Sequence, residues 1–422
     1  MKRLSRTTQL IVALGVAAMG LHAVPAAADT GPALDRRALQ RSVNAVHEAG
    51  MYGIYSEVRD GRQTWAGAAG VADVETRRPV HPRMAHRIGS ITKSFVTVAL
   101  LQQAERGTVD LDAPVARYLP GVLPADRAGK TTVRMLLNHT SHLGDYIAAA
   151  FPSFLEGSPK SLDDNRFRTF SPQELVEFGL SSPVTGAPGA LPGSYSNTNY
   201  ILAGMLLAKV TGRSAEEYIT RQVIHRAGLR HTYFPRSPYI KGPHSKAYEA
   251  LFGWIDPPRD YSVYDMSWGG TAGAVVSTMD DLNRFYRALF TGRLIGPERL
   301  AEMRETVPVQ VGGLATIDYG LGLYSMDLPC GRFWGHDGGV FGMLTMSVSS
   351  EDGGRQVSFG LNLSKYQKIG DDGLPLPHPV DGAMVNHLLL SLCGTSSPQA
   401  RTTAPAFPLF PTQDVPVKRT SS

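Results

Sequence analysis

Cysteine and long apolar runs are both scarce in this sequence. Among its 422 residues there are two cysteines, Cys330 and Cys393, and neither a C-x-x-C nor an H-E-x-x-H motif occurs. The chain therefore offers no recognisable metal site, and we expect no bound metal. Beyond the N-terminus no segment approaches the roughly 18 consecutive apolar residues of a membrane span, which argues against a stable membrane anchor.

Clusters of positive charge are missing as well. The formal net charge is +5, but three basic residues and no acidic ones fall within residues 1–28, and the tail beyond residue 394 is also basic. The body of the chain is therefore close to neutral. Since no predicted helix carries a cluster of Lys and Arg, we do not expect nucleic-acid binding.

The N-terminus has the parts of an export signal. A basic start is followed by an apolar stretch over 10–21 and by three alanines that end at Ala28. We predict that residues 1–28 are a signal peptide and that the mature protein is secreted and extracellular. Cys330 and Cys393 would then meet an oxidising compartment, so a disulfide is expected, with two buried thiols as the alternative.

The spacing of apolar residues predicts strands near both ends of the chain and helices in the middle. Leu39, Val43 and Val46 recur at helical spacing, whereas segments near the C-terminus alternate apolar and polar residues. The predicted elements are a helix over 33–49, strands over 52–58, 63–71, 344–348 and 357–363, and a last helix over 380–392. They indicate an α/β fold in which one antiparallel sheet is built from both termini and flanked by helices.

Two further regions complete this outline. From about 110 to 290, helix-like stretches alternate with loops rich in Pro, Gly and Ser, which predicts a mainly helical insertion. Residues 395–422 are rich in Ser, Thr and Pro and are predicted to be a disordered tail.

Residues 86–93 read HRIGSITK, which places Ser90 and Lys93 three positions apart before an apolar run that ends near Gly107. Positions i and i+3 of a helix share a face, so the hydroxyl and the amine could touch. Such a pair can supply a nucleophile and its proton acceptor. The alternative is that Ser90 caps the helix and Lys93 lies on a solvated face.

Two later motifs could complete such a site. Tyr195-Ser196-Asn197 is the one Y-x-N in the chain; its tyrosine could carry a proton and its asparagine could hold a substrate carbonyl, although a polar turn before a helix is the alternative. Residues 335–339 read GHDGG, an H-x-G motif whose glycines allow backbone N–H groups to approach a ligand closely. A second H-x-G begins at His142, in a predicted loop.

The order S-x-x-K, Y-x-N, H-x-G resembles that of the serine penicillin-recognising enzymes, which include β-lactamases and D-alanyl-D-alanine peptidases. More narrowly, the chain resembles secreted serine D-alanyl-D-alanine carboxypeptidases close to class C β-lactamases. The stretches that carry the resemblance, over roughly 35–394, are HRIGSITKSF, VDLDAPVARYLPG, LLNHTSHL, GSYSNTNYILAGMLL, SWGGTAGAVVSTMDDL, YGLGL and WGHDGGVFG. A lipase-type G-x-S-x-G elbow is absent from the sequence. A non-catalytic wall-binding relative is the remaining alternative, although all three motifs are intact.

The resemblance implies a β-lactamase or penicillin-binding-protein fold over 29–394 and an acyl-enzyme mechanism without a cofactor. It implies that Ser90 is the nucleophile, with Lys93 and Tyr195 as proton carriers, and that backbone N–H groups of Ser90 and Gly339 hold the oxyanion. It also matches DLPCG and SLCG to a disulfide between Cys330 and Cys393. The substrate-binding candidates are Asn197, Trp268, His336, Asp337, Gly338 and Gly339.

The sequence departs from these peptidases where they bind a substrate carboxylate. Their strand motif is H-T-G-T, and the two threonines, with an arginine after Y-G-L-G-L, hold that group. Here the corresponding residues are Asp337, Gly339 and Tyr324. We expect Asp337 to face the position of the carboxylate and to repel it. In a separate departure, His142 stands where H-T-S-G-L is usual.

Three substrate classes follow from these departures. The first is a D-alanyl-D-alanine carboxypeptidase that acts on peptidoglycan stem peptides, is inhibited by β-lactams, and uses Arg332 or Lys365 as a replacement cation. The second is a D-amino-acid amidase or aminopeptidase in which Asp337 pairs with a substrate ammonium group. The third is an esterase of small acyl esters.

Overall fold

A computed structural model describes residues 34–312, 315–371, 373–394 and 409–411. The helices are α1 (Arg36–Glu48), α2 (Thr92–Glu105), α3 (Ala125–Ala128), α4 (Val133–Leu137), α5 (Ile147–Ala150), α6 (Lys160–Asp164), α7 (Pro172–Ser181), α8 (Thr198–Thr211), α9 (Ala215–Ile219), α10 (Gly270–Gly273), α11 (Met279–Phe290), α12 (Pro297–Met303) and α13 (Pro379–Cys393). The strands are β1 (Gly53–Asp60), β2 (Gln63–Gly70), β3 (His86–Arg87), β4 (Gly193–Ser194), β5 (Tyr248–Glu249), β6 (Arg259–Asp260), β7 (Val276–Ser277), β8 (Val307–Val311), β9 (Ala315–Tyr319), β10 (Tyr324–Leu328), β11 (Gly331–Val340), β12 (Met343–Ser350), β13 (Arg355–Leu361) and β14 (Leu363–Ser364).

The main sheet joins the two ends of the chain. Its strand order is β2-β1-β13-β12-β11-β10-β9-β8-β4. The N-terminal β1 pairs antiparallel with the C-terminal β13, with Ile54 opposite Leu361. The prediction of an antiparallel sheet built from both termini is therefore confirmed.

Helices cover the sheet because its strands bury apolar side chains on both faces. α1 packs against α13 and against β2, and α1 buries Val43 and Val46 completely. α11 packs against β12 and β13. Phe285 of α11 stacks on Phe95 of α2 with ring centroids 3.9 Å apart, so α2 is anchored to the same layer.

The middle of the chain is less separate from the sheet than the sequence suggested. The segment 110–290 is mainly helical, but β4 within it pairs parallel with β8 at the end of the main sheet. The strands β8 to β10 precede the alternating segments and were not predicted from the sequence. Residues 351–354 form the turn that joins β12 to β13.

The disulfide between Cys330 and Cys393 is present, with a Cα–Cα distance of 5.5 Å, and ties the turn before β11 to the end of α13. The predicted signal peptide lies outside the described residues, as does most of the predicted disordered tail. Of the tail, the structure describes 409–411, where Leu409 is buried and the ring of Phe410 lies 6.3 Å from that of Phe359. None of the helices in the described ranges has the length and apolar character needed to cross a membrane.

Candidate active site

Ser90 lies in a short 3-10 turn, Gly89–Ile91, immediately before α2. Gly89 has φ of +53°, and a Cβ there would lie 2.6 Å from the backbone nitrogen of Gly339, so the turn requires glycine. α2 begins without a side-chain cap. The capping alternative for Ser90 is therefore not supported, and the turn holds this serine close to β11.

Lys93 is fully buried, which excludes the solvated-face alternative. Its Nζ donates to Ser90 Oγ at 2.8 Å, to Asn197 Oδ1 at 2.8 Å and to the carbonyl oxygen of Ala272 at 2.9 Å. The same nitrogen lies 5.0 Å from the ring centroid of Tyr195. The S-x-x-K and Y-x-N motifs thus meet in one place, as the sequence predicted.

Asn197 is oriented by a carboxylate that sequence reasoning missed. Asp145 Oδ2 accepts from the backbone N–H of Asn197 at 2.7 Å and from its Nδ2 at 2.9 Å, while Asp145 Oδ1 accepts from the N–H of Ile147 at 2.9 Å. Burial raises the pKa of Asp145, and its backbone bonds and the nearby Lys93 charge act in the opposite direction. Asp145 follows the HTSHL stretch, which was the one available signal.

The imidazole rings of His139 and His336 lie beside the ring of Tyr195. The ring of His139 is 4.1 Å from that of Tyr195, and His336 Nε2 is 2.9 Å from the hydroxyl of Tyr319. Burial, and secondly the Lys93 charge, lowers the pKa of both histidines, that of His336 to about 3. Both rings are therefore neutral near pH 7, and they pack beside the ring of Tyr195 without carrying a charge.

A cavity opens beside Ser90. Three of the predicted substrate-binding residues line it, Asn197, Trp268 and Gly339, and so do aromatic residues that the motifs did not reveal. These are Tyr146, Phe154 and Phe341.

The other three predicted substrate-binding residues do not line this cavity. His336 and Asp337 are fully buried, which corrects the expectation that they contact substrate. A Cβ on Gly338 would lie 2.0 Å from the carbonyl oxygen of Ile88, so Gly338 instead permits the Ser90 turn to pack on β11.

Asp337 lies near Tyr324, which also replaces a carboxylate-binding residue of the peptidases. It is paired in register with Met346, and the hydroxyl of Tyr324 reaches Met346 Sδ at 3.8 Å. Burial is the main cause that raises the pKa of Tyr324, and the adjacent Asp337 carboxylate raises it further. Asp337 is fully buried and does not line the cavity, so the structure gives no support to repulsion of a substrate carboxylate or to pairing with a substrate ammonium group.

The two candidate replacement cations differ in position. Arg332 is half-exposed at 50% of its side-chain surface and pairs with Asp327 at 2.7 Å, away from the cavity. Lys365 lines the cavity and pairs with Glu249 at 3.1 Å. In the described ranges, no cluster of His, Cys, Asp and Glu is arranged to hold a metal ion.

His142 occupies a left-handed backbone position beside the site, with φ of +57°. Its ring bridges Thr185 Oγ1 and the carbonyl oxygen of Ala190, each at 2.9 Å. His142 replaces the glycine of the H-T-S-G-L motif but keeps a backbone conformation typical of glycine. Its side chain connects this loop to the segment 185–190.

Comparisons with known proteins agree with this geometry. The family model named Beta-lactamase matches residues 37–350. A solved D-stereospecific amidohydrolase from Streptomyces sp. is 34% identical, with a TM-score of 0.74, over 86% of this chain and 100% of that chain. The D-amino acid amidase from Ochrobactrum anthropi SV3, complexed with D-phenylalanine, is 27% identical, with a TM-score of 0.72, over 85% of this chain and 98% of that chain.

A curated relative points to the same group of proteins. Penicillin-binding protein 4* of Bacillus subtilis (strain 168) is 29% identical over 293 residues, which are 66% of this chain and 61% of the relative. The match thus spans about three fifths of that protein's length. Because the family model covers most of the chain and the serine–lysine pair is intact, the protein belongs to the β-lactamase family and is a serine hydrolase of that family.

Proposed function

We propose that the protein hydrolyses amides and small esters of D-amino acids through an acyl-enzyme on Ser90. The observation that carries this proposal is the 2.8 Å contact between Lys93 Nζ and Ser90 Oγ at the wall of an aromatic cavity. The D-amino-acid preference is supported by the names of the similar amidohydrolase and amidase.

The environment of Lys93 suits a proton acceptor. A neutral amine has two N–H groups and one lone pair. Asn197 Oδ1 and the carbonyl oxygen of Ala272 are acceptors for such N–H groups, and Ser90 Oγ lies 2.8 Å from the same nitrogen, so a neutral Lys93 amine can accept the Ser90 proton. Ser90 Oγ then attacks the substrate carbonyl carbon while its proton passes to Lys93 Nζ.

The remaining steps use Tyr195 and two backbone groups. The C–N bond breaks as Tyr195 passes a proton to the leaving amine, and Lys93 restores the tyrosine proton. Water then attacks the carbonyl carbon of the ester and gives a proton to the Tyr195–Lys93 pair, which returns a proton to Ser90 Oγ as the bond between the carbonyl carbon and Oγ breaks. We assign the oxyanion site to the N–H groups of Ser90 and Gly339, both of which line the cavity.

The lack of a carboxylate anchor supports the choice of amides. Gly339 has no side chain to offer, and Tyr324 and Asp337 are directed at each other. Asp145 does not line the cavity and acts on the site through Asn197, because it accepts from the Asn197 side-chain Nδ2 at 2.9 Å.

A D-alanyl-D-alanine carboxypeptidase is the second candidate. The likeness to penicillin-binding protein 4* favours it, and peptidoglycan stem peptides would then be substrates and β-lactams inhibitors. Without an anchor for the carboxylate, we expect penicillin to acylate Ser90 slowly.

The test compares kcat/KM for D-alanine amide, D-phenylalanine amide, their L-enantiomers and a peptide that ends in D-alanyl-D-alanine. We expect the D-amides to be hydrolysed faster than the other substrates, and Ser90→Ala to abolish turnover without changing the melting temperature. Faster release of D-alanine from the free-carboxylate peptide would favour the carboxypeptidase. Normal turnover by Ser90→Ala would overturn the serine mechanism.

We also propose that residues 29–394 form the mature catalytic domain and that the protein is secreted. The export-type N-terminus and the Cys330–Cys393 disulfide support this. Mass spectrometry of protein recovered from culture medium should give a chain that begins at Asp29. A protein that keeps residues 1–28 and stays in the cell would contradict it.

A further inference from the structure

The cavity extends from Ser90 towards the C-terminal end of β11. Gly339, Val340 and Phe341 line it in succession, whereas Asp337 does not. Two of the three positions where the resembling peptidases hold the substrate carboxylate, those of Asp337 and Tyr324, lie outside the lining of this cavity, and the third, Gly339, has no side chain to bind it. The cavity therefore receives the acyl-donor side of the substrate.

The walls of the cavity are aromatic. Trp268 stacks on Phe341 with ring centroids 4.6 Å apart, and Phe154 meets Phe341 edge-on at 6.0 Å. The hydroxyl of Tyr146 donates to the carbonyl oxygen of Trp268 at 2.6 Å, which turns its ring to the cavity and fixes the tryptophan backbone.

Lys365 is the one charged side chain among the described residues that line the cavity. It is 5% exposed, and its Nζ lies 3.1 Å from Glu249 Oε2 and 5.8 Å from the ring centroid of Phe341. Glu249 also accepts from the N–H groups of Leu251 and Gly342 and from a serine hydroxyl. The Lys365 ammonium group is thus bonded to the Glu249 carboxylate, and the other hydrogen bonds of Glu249 fix the surrounding backbone and a serine side chain.

The backbone around Lys365 is also constrained. Lys365 has φ of +48°, and its carbonyl oxygen accepts from the N–H of Phe252 at 2.7 Å. Leu251 and Phe252 also have positive φ, of +45° and +59°. Non-glycine residues keep such conformations where the surroundings fix them, and they cluster at ligand sites.

We infer that Lys365 determines specificity by binding a neutral hydrogen-bond acceptor on the side chain of the acyl donor. This inference rests on the proposed function. An ammonium group has three donors, of which one is bonded to Glu249. Because the Lys365–Glu249 pair is neutral overall, a second carboxylate would meet the repulsion of Glu249, whereas a carbonyl or phenol oxygen would not.

The experiment uses matched D-amino-acid amides and the full-length protein. D-glutamine amide is compared with D-leucine amide, and D-tyrosine amide with D-phenylalanine amide, so that each pair differs mainly in the acceptor. We expect at least one acceptor substrate to have a kcat/KM about tenfold higher than its partner, which is the effect of one good hydrogen bond. D-glutamate amide should be poorer than D-glutamine amide.

Two variants test the role of the ammonium group itself. Lys365→Met keeps the apolar stem, so the acceptor preference should fall to a ratio near one, and Lys365→Arg should retain part of it. Circular dichroism checks that both variants fold, and the wild-type comparison of D-glutamine and D-glutamate needs no variant.

The outcomes separate the two claims. If no amide or ester is turned over, both the proposed function and this inference fail. If D-amides are hydrolysed but neither pair shows an acceptor preference, or if the preference survives in Lys365→Met, the inference alone is overturned. Preferential use of D-glutamate amide would also overturn it.

Discussion

At the scale of single residues, Asp337 lies near enough to Tyr324 for its carboxylate to raise the pKa of the tyrosine, after burial as the main cause. Both stand where the resembling peptidases have carboxylate anchors, and both are buried. Because Asp337 does not line the cavity, Asp337→Thr should change the kcat/KM ratio of amide to free-carboxylate substrates by less than about threefold, or ~0.6 kcal/mol.

The measurement uses D-alanyl-D-alanine amide and D-alanyl-D-alanine as the pair, in wild type and in the variant. A gain of about tenfold for the free-carboxylate peptide would show that Asp337 does reach the substrate. The melting temperature of Asp337→Thr reports separately on the lost contact with Tyr324.

His142 offers a second prediction at this scale. Its ring makes two hydrogen bonds, and its backbone is left-handed. His142→Ala loses the bonds and keeps the strained backbone, so we expect a loss of about 2 kcal/mol in the free energy of unfolding. His142→Gly loses the same bonds but suits the backbone, and should be about 1 kcal/mol more stable than the alanine variant.

Urea denaturation of the two variants and the wild type checks this order. If the free energy of unfolding of His142→Ala equals or exceeds that of His142→Gly, the left-handed conformation is not retained in solution.

The motifs made part of the site predictable. Ser90, Lys93, Tyr195 and Asn197 could be brought together from sequence because their spacing and order are distinctive. The direction of Asp337 could not, because in a strand one residue's shift exchanges the faces of all side chains, and no motif fixes that register. Lys365 belongs to no motif and reaches the cavity through folding alone.

At the scale of elements, the packing of the Ser90 turn on β11 depends on Gly338. A Cβ at this position would lie 2.0 Å from the carbonyl oxygen of Ile88 and 2.9 Å from the nitrogen of Ser90, so Gly338→Ala must push the turn away. Since small misplacements of reacting groups cost about a hundredfold, we expect kcat to fall by about that factor.

Gly129→Ala is the matched control, because a Cβ there meets no atom within 4 Å and its φ is −87°. It should leave kcat and the melting temperature close to wild type. A Gly338→Ala enzyme with normal kcat would show that the turn does not require this close approach.

The elements that sequence patterns revealed are those with a regular period. β12 and β13 alternate, and α1 repeats at helical spacing with its cap at Asp35. The two-residue β4 has no pattern to read, because it is too short for a period. Its pairing with β8 is set by tertiary packing. This pairing positions Tyr195, whose backbone N–H donates to the carbonyl oxygen of Gln310.

At the scale of the whole molecule, the Cys330–Cys393 disulfide closes a loop with a sequence separation of 63 residues. A loop of this length restricts the unfolded chain and contributes up to about 4 kcal/mol. The double variant Cys330→Ser/Cys393→Ser should therefore lose about 2 to 4 kcal/mol in the free energy of unfolding.

Urea denaturation of the oxidised wild type and the double variant measures this loss, and kcat under native conditions serves as the control. Equal denaturation midpoints, or two free thiols in secreted wild-type protein, would contradict the prediction.

The pairing of β1 with β13 has a consequence for how the molecule comes into being. Ser90 and Lys93 are synthesised well before Gly339 and before β13, the partner of β1. A chain cut short before Gly339 keeps Ser90, lacks one proposed oxyanion donor and leaves an open strand edge at β1 that invites aggregation. The proposed active site therefore assembles only after β11 has been synthesised, and we expect a copy truncated before it to be inactive and prone to aggregation.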